Sequence, residues 1–166
     1  MTKWYVVQTK AKHETTAQRN LDNQAFQSFL PWLRVNKHVR GRWQAVREPL
    51  FPGYLFVELD LATQNTAPIH STRGVVRLLR QGSELKAFPD TELQALMQAQ
   101  EVTGDAIEPA SIFKDGDSVR LVSGPMAGIS AIFKAKNSQD RVVLLLNILG
   151  NETQVSVSPH QITKAS

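Results

Sequence analysis

The segment YLFVEL at residues 54–59 constrains the fold most, because it carries large apolar side chains on both faces of a predicted strand. One face is aliphatic and comprises Leu55, Val57 and Leu59. The other presents Tyr54 and Phe56 beside Glu58, whose charge indicates that this face is not wholly buried. Two interpretations are open. Either a helix of the same domain covers the aromatic pair in an ordinary α/β sandwich, or the pair is a docking surface.

Strands and helices are predicted on either side of this segment from apolar periodicity and from Gly and Pro positions. In chain order, we predict strands at 4–9, 34–40, 43–48, 54–59 and 74–80, and helices over 13–28, within 62–70 and from Pro89 onward. Pro31 is expected to end the first helix, and residues 40–42 to form the tip of a basic hairpin. The pattern indicates an α+β domain over residues 1–101.

The rest of the chain divides into a linker and a small second domain. Residues 102–114 sustain neither a helical nor a strand period and are the predicted linker. Residues 115–166 are too few for a large independent core.

Positive charge is concentrated in the first domain. The chain has 19 Lys and Arg against 15 Asp and Glu, and residues 1–101 hold 13 and 9 of them, so the whole net charge of +4 lies there. Basic residues interleaved with aromatic ones suit a polyanion with stackable bases. Simple solvation of Lys and Arg on a globular domain is the alternative.

Several kinds of chemistry are excluded or unsupported. The chain has no Cys, which excludes disulfides, thiolate zinc sites and cysteine nucleophiles. The four His lack metal-ligand spacing, and hydrolase and nucleotide-loop motifs are missing. Asp115 and Asp117 flank a glycine, as in a turn. We therefore expect binding rather than catalysis, with no cofactor and no metal. We also expect a cytoplasmic protein, since neither a signal peptide nor a membrane span is evident.

Two motifs resemble those of a known family. EPLFPGYLFV at residues 48–57 resembles the core signature of NusG-type transcription elongation factors, and DGDSVR at 115–120 with GPMAG at 124–128 looks like their C-terminal KOW motif. VRG at 39–41 resembles the specialised RfaH-type members of that family. The resemblance implies an N-terminal α/β sandwich with an antiparallel sheet, followed by a small KOW domain.

The resemblance further implies a monomer that rides on RNA polymerase, across its clamp helices and the opposing lobe. Tyr54 and Phe56 match the clamp contact, and Thr66 is the position retained from the second contact. We expect alanine at both aromatic positions to abolish recruitment while leaving thermal stability nearly unchanged.

RfaH-type members also read an operon-specific element in the displaced, single-stranded non-template DNA. Lys10, Thr72 and Arg73 match positions for that role, since a cation and a hydroxyl suit phosphate and an Arg fork suits guanine. His13 and Asn20 share the first predicted helix and could reach a base, although they depart from the family's residues, as does Thr16.

The C-terminal domain can be interpreted in two ways. Strands at 117–122, 129–134, 141–147 and 152–157 would form a KOW barrel. Two helices would instead carry apolar stripes that bury the run at 142–149. The interdomain residues of the helical form are Ile129, Phe133, Leu145 and Leu149, with Glu48 and Arg141 as the matching ion pair.

The resemblance implies both forms. A helical hairpin covers Tyr54 and Phe56 in the free protein, and a barrel that can contact a ribosomal protein forms on release. A permanently β-folded KOW domain is the alternative. The expected function is operon-specific antitermination, in which the factor suppresses pausing and termination. A general elongation factor, a ribosome-associated KOW RNA-binding protein and a small metal-dependent nucleic-acid enzyme are the competing functions.

Overall fold

A computed structural model describes residues 1–108, 127–135 and 137–150. The strands are β1 (Lys3–Thr9), β2 (Gln27–Phe29), β3 (Trp32–Val39), β4 (Arg42–Pro49), β5 (Tyr54–Leu59), β6 (Val75–Leu78), β7 (Arg80–Gln81) and β8 (Glu84–Leu85). The helices are α1 (Glu14–Asp22), α2 (Ala67–His70), α3 (Asp90–Thr103), α4 (Ala127–Lys134) and α5 (Ser138–Ile148).

The central sheet has the order β2-β5-β1-β6, and all of its neighbouring strands are antiparallel. Strand β5 carries large apolar side chains on both faces of this sheet, so both faces need a covering layer. The aliphatic face packs with Ala17 and Leu21 of α1 and with Ile69 of α2. The mixed α/β domain with an antiparallel sheet is therefore confirmed.

The opposite face of the sheet has a different cover. Phe56 belongs to a core cluster that contains Leu93 and Leu96 of α3 together with apolar residues of α4 and α5. The aromatic face is thus covered by two sources, a helix of the same domain and a pair of helices from the C-terminal part of the chain.

Strands β3 and β4 form a separate two-stranded hairpin, as the sequence predicts. Arg40 and Gly41 at its tip both have positive φ, 52° and 79°, which is the conformation of the type I′ turns that join twisted strands. Residues 37–45 are exposed, so the tip projects from the described part of the molecule.

The first helix is shorter than its apolar spacing predicts. It ends at Asp22, well before Pro31, and residues 27–29 form a strand that pairs with β5. The chain turns at Ala25, which has a φ of 67°, and this turn places Phe26 in the core instead of on the helix.

The first residues of the predicted linker at 102–114 pack with the N-terminal domain. Helix α3 continues to Thr103, and Ala106 and Ile107 are buried. Ile107 exchanges backbone hydrogen bonds with β3, donating to the Trp32 carbonyl at 2.6 Å and accepting from the Arg34 amide at 2.9 Å.

The C-terminal segments at 127–134 and 138–148 are helical, so the strands predicted at 129–134 and 141–147 are not the conformation found here. The strands predicted at 117–122 and 152–157, the rest of the linker and most of the KOW motif lie outside the described residues.

Candidate nucleic-acid interface and a covered aromatic face

Phe56 is at the centre of an aromatic group. Its ring lies 4.9 Å from that of Phe88 and 6.1 Å from those of Phe29 and Phe51, measured between centroids. Only 1% of Phe56 is exposed. Removing this ring would leave a cavity, and Phe→Ala changes of that kind cost about 3–5 kcal/mol. The expectation that alanine at Tyr54 and Phe56 leaves stability unchanged is therefore revised for Phe56.

The C-terminal helices complete the cover of this face. Ile129, Leu145 and Leu149 are buried in the cluster that contains Phe56, and Phe133 packs against it. Tyr54 is half-buried at the edge of the same cluster. Burial raises the pKa of its hydroxyl, and the nearby charge of Arg77 opposes that rise.

Arg141 of α5 fastens the helices to the N-terminal domain. Its Nη2 lies 2.5 Å from Oε2 of Glu48, and its Nε donates a hydrogen bond of 2.8 Å to the Leu50 carbonyl. The side chain of Arg141 is only 5% exposed, so the small contribution that is typical of exposed surface ion pairs does not apply to this pair.

Glu48 has a second cationic partner. Nζ of Lys37 lies 2.9 Å from its other oxygen, and the Lys37 side chain is 55% exposed. Burial raises the pKa of the Glu48 carboxyl, but hydrogen bonds from Lys37 and Arg141 and their charges outweigh burial, and the pKa falls below its ordinary value. Glu48 is therefore held ionised at the point where helix α5 docks on the N-terminal domain.

A second site lies on the other side of the sheet, around the exposed side of α1. His13, Asn20 and Arg73 line one cavity of about 380 Å³ together with Thr16 and Arg19. The five side chains offer two guanidinium groups, an imidazole, an amide and a hydroxyl, with no carboxylate among them. Such a set can bind phosphate and a base edge together.

Gly74 places Arg73 beside the helix. It has a φ of 90°, and a Cβ at this position would lie 3.0 Å from the Ala17 amide nitrogen and 3.2 Å from the His13 carbonyl oxygen. Only glycine allows the loop before β6 to approach the first turn of α1 this closely. The adjacent Arg73 then reaches the cavity that His13 and Asn20 line.

The remaining predicted site residues do not line this cavity. The Thr72 side chain is buried, and its hydroxyl donates to the Pro68 carbonyl and accepts from Gln24, so it holds the loop rather than facing a ligand. The Lys10 side chain is exposed beside the cavity but does not line it. Thr66 is the N-cap residue of α2, half-buried, with no side-chain cap hydrogen bond.

Sequence reasoning missed Arg19. It follows Thr16 by three residues on α1, so their shared face was visible in the helical spacing.

Within residues 1–108, 127–135 and 137–150, no group of three or more His, Asp or Glu is arranged to hold a metal ion. No helix in those ranges has the length and apolarity needed to cross a membrane.

Known proteins resemble this chain along most of its length. The chain is 28% identical over 180 residues to the transcription termination/antitermination protein NusG of Thermus thermophilus, which covers 98% of each chain. It is 30% identical over 174 residues to the protein of the same name from Campylobacter jejuni, covering 98% of this chain and 97% of that one.

The NusG of Streptomyces coelicolor is 28% identical over 189 residues, covering 97% of this chain and 62% of the longer relative. The family model described as "Transcription termination factor nusG" matches residues 2–97, which is more than half of the chain. The chain therefore belongs to the NusG family of transcription termination/antitermination factors.

Proposed function

We propose that this protein is an operon-specific antitermination factor of the RfaH type. It binds RNA polymerase through the Tyr54 and Phe56 face and reads the non-template DNA strand through the α1 cavity. It makes and breaks no covalent bond. The observation that carries the proposal is that the aromatic face lies under helices α4 and α5, fastened by a buried Arg141.

The covered face supports regulation by release. An apolar surface that binds a partner must be shielded when the partner is absent, and α4 and α5 provide the shield. Helices of eight and eleven residues are marginal by themselves, so their stability depends on this docking. Undocking frees the segment for the KOW barrel, which then contacts a ribosomal protein and couples transcription to translation.

The α1 cavity supports strand-specific recruitment. Arg73 and Arg19 supply charge for phosphates, while Asn20 and His13 supply donors and acceptors for an unpaired base. This DNA and the polymerase bind the released state more tightly than the docked state, and that difference in affinity releases helices α4 and α5. Moving a two-state equilibrium from 1:99 to 99:1 needs about 5.5 kcal/mol of such affinity.

A general NusG-like elongation factor is the second candidate, favoured by the names of the relatives. Transcription in vitro through candidate operon elements separates the two. The proposal expects pausing to fall only on templates whose displaced strand carries the element, and it expects Arg73→Ala to lose that response. A response equal on all templates would favour the general factor.

Polymerase binding is tested separately with Tyr54→Ala, because Tyr54 is half-buried and its removal is less damaging to the core than that of Phe56. Pull-down by RNA polymerase in the presence of the element is expected to fail for this variant. Arg42→Ala, a change at the exposed hairpin tip, serves as the control for loss of a surface side chain.

A further inference from the structure

An open groove of about 560 Å³ lies where helix α5 meets the edge of the central sheet. Its lining includes Tyr54, His70, Arg77, Leu79, Arg80 and, from α5, Leu146. It is separate from the α1 cavity and shares no lining residue with it. Its volume is within the range of small-molecule sites.

Among the described residues, no acidic side chain compensates the positive charge of this groove. Neither Arg77 nor Arg80 forms an ion pair within the described ranges, and no carboxylate lines the groove. Nε of Arg77 donates to Gln8 Oε1 at 3.0 Å, and Nη1 of Arg80 donates to the Ser83 carbonyl at 3.1 Å, so neutral partners orient both guanidinium groups. Arg141, which also lies where α5 meets the domain, is by contrast paired with a carboxylate.

The other walls of the groove are apolar or aromatic. Leu79 and Leu146 are buried side chains that form part of its lining, and Tyr54 supplies a ring with a hydroxyl. Two arginine forks suit phosphate oxygens, and an apolar wall with an aromatic ring suits a planar base. The combination fits a nucleoside polyphosphate better than a bare anion.

We propose that this groove binds a free nucleoside polyphosphate and that the bound ligand stabilises the docked position of α5. The coupling follows from the lining, because Leu146 belongs to the mobile partner in the proposed release and the arginines belong to the fixed domain. A ligand that contacts both binds the docked state more tightly than the released state. This regulatory half rests on the proposed function, whereas the binding site does not.

Binding is measured by calorimetry on the intact protein without polymerase, using ATP, GTP and inorganic pyrophosphate as probes. ATP or GTP is expected to bind more tightly than pyrophosphate. Arg77→Gln and Arg80→Gln are each expected to weaken binding at least tenfold, since a hydrogen bond to a charged group contributes about 1.5–3 kcal/mol. Arg42→Gln, which removes an exposed arginine at the hairpin tip, is expected to bind like the parent protein.

Three results would overturn the site: no binding of any probe at millimolar concentration, equal weakening by Arg42→Gln, or displacement of ATP by a thymidine octamer in an Arg73→Ala background. The last result would assign the groove to nucleic acid instead.

The coupling is measured by amide hydrogen exchange of α5. Exchange is expected to slow when the ligand is present at ten times its Kd, by at most about tenfold, because the arginines stay with the released domain and keep part of the affinity. Unchanged exchange with saturating ligand would overturn the proposal that the ligand stabilises docked α5, but it would not contradict ligand binding in the groove. Failure of polymerase recruitment would count against the proposed function alone.

Discussion

Replacing Glu48 with alanine is expected to weaken docking of the C-terminal helices by about 3–5 kcal/mol. The reason is that Arg141 would be left buried without its carboxylate partner. Its side chain is 5% exposed, and its guanidinium would keep only the Leu50 carbonyl as a partner. A buried charge without a counter-charge is among the most costly defects in a folded protein. At 1.4 kcal/mol per tenfold change, the docking equilibrium would fall by about two to three and a half decades.

The two partners of the ion pair are not expected to be equivalent. Arg141→Met removes the buried charge itself and fills the space with an apolar chain, while Glu48 keeps Lys37 at 2.9 Å. The main cost is then the unsatisfied Leu50 carbonyl, about 1–3 kcal/mol. Lys37→Gln removes only an exposed contact and is expected to cost under about 1 kcal/mol.

Amide hydrogen exchange of α5 in the intact protein measures these differences, because a helix of eleven residues is not stable when undocked and its amides lose their hydrogen bonds before the released segment can form the proposed barrel. The expected order of acceleration is Glu48→Ala, then Arg141→Met, then Lys37→Gln. Equal rates for Glu48→Ala and Lys37→Gln would refute the reasoning, because they would show that Arg141 is not a desolvated charge in the docked state.

Four further predictions concern the core at Phe56, the glycine at 74, the cavity residue Arg73 and the pH dependence of docking. Phe56→Ala is expected to lower the unfolding free energy by about 3–5 kcal/mol in a denaturant titration, whereas Tyr54→Ala, at a half-buried position, should cost clearly less; equal losses would contradict the burial difference. Gly74→Ala is expected to destabilise the protein by at least about 1–3 kcal/mol, because alanine must adopt a φ of 90° and contact α1, and an unchanged melting temperature would rule this out. Arg73→Ala is expected to abolish the response to the DNA element in transcription while polymerase pull-down persists; a retained response would remove Arg73 from the site. Against the effect of burial, Lys37 and Arg141 together lower the pKa of Glu48, and only the share of Arg141 is lost on undocking. The contribution of Glu48 to docking is therefore complete above the ordinary glutamate value of about 4.3 and is lost as pH falls through the docked-state pKa. Exchange of α5 should accelerate below about pH 4 in the parent protein more than in Glu48→Ala, and parallel pH profiles would contradict this.

The N-terminal domain could be predicted from sequence where local patterns and tertiary packing agree. The alternation in residues 54–59 gives the correct two faces of β5, and the Arg40-Gly41 tip gives the correct hairpin. The predicted first helix is longer than the observed one because Ala25 continues the apolar spacing of Ala17 and Leu21. Its positive φ is imposed by the burial of Phe26 and by the pairing of β2 with β5, and neither is visible in a local window.

The C-terminal segment shows a deeper limit of sequence reasoning. The run at residues 142–149 is apolar at almost every position, so it satisfies helical and strand periods alike. The helical conformation is stabilised here because its apolar residues pack in the same cluster as the aromatic face of β5, which is distant in sequence. Thr72 shows the same limit at the candidate site: its residue type suits phosphate, but its hydroxyl is used by Pro68 and Gln24.

The central claim is that helices α4 and α5 block the polymerase-binding face of β5 until they are released. The most direct test compares the binding of RNA polymerase to the parent protein and to Glu48→Ala, with no DNA element present. We expect weak binding by the parent, strong binding by Glu48→Ala, and loss of that gain when Tyr54→Ala is added. Equally strong binding by the parent and by Glu48→Ala would contradict the account.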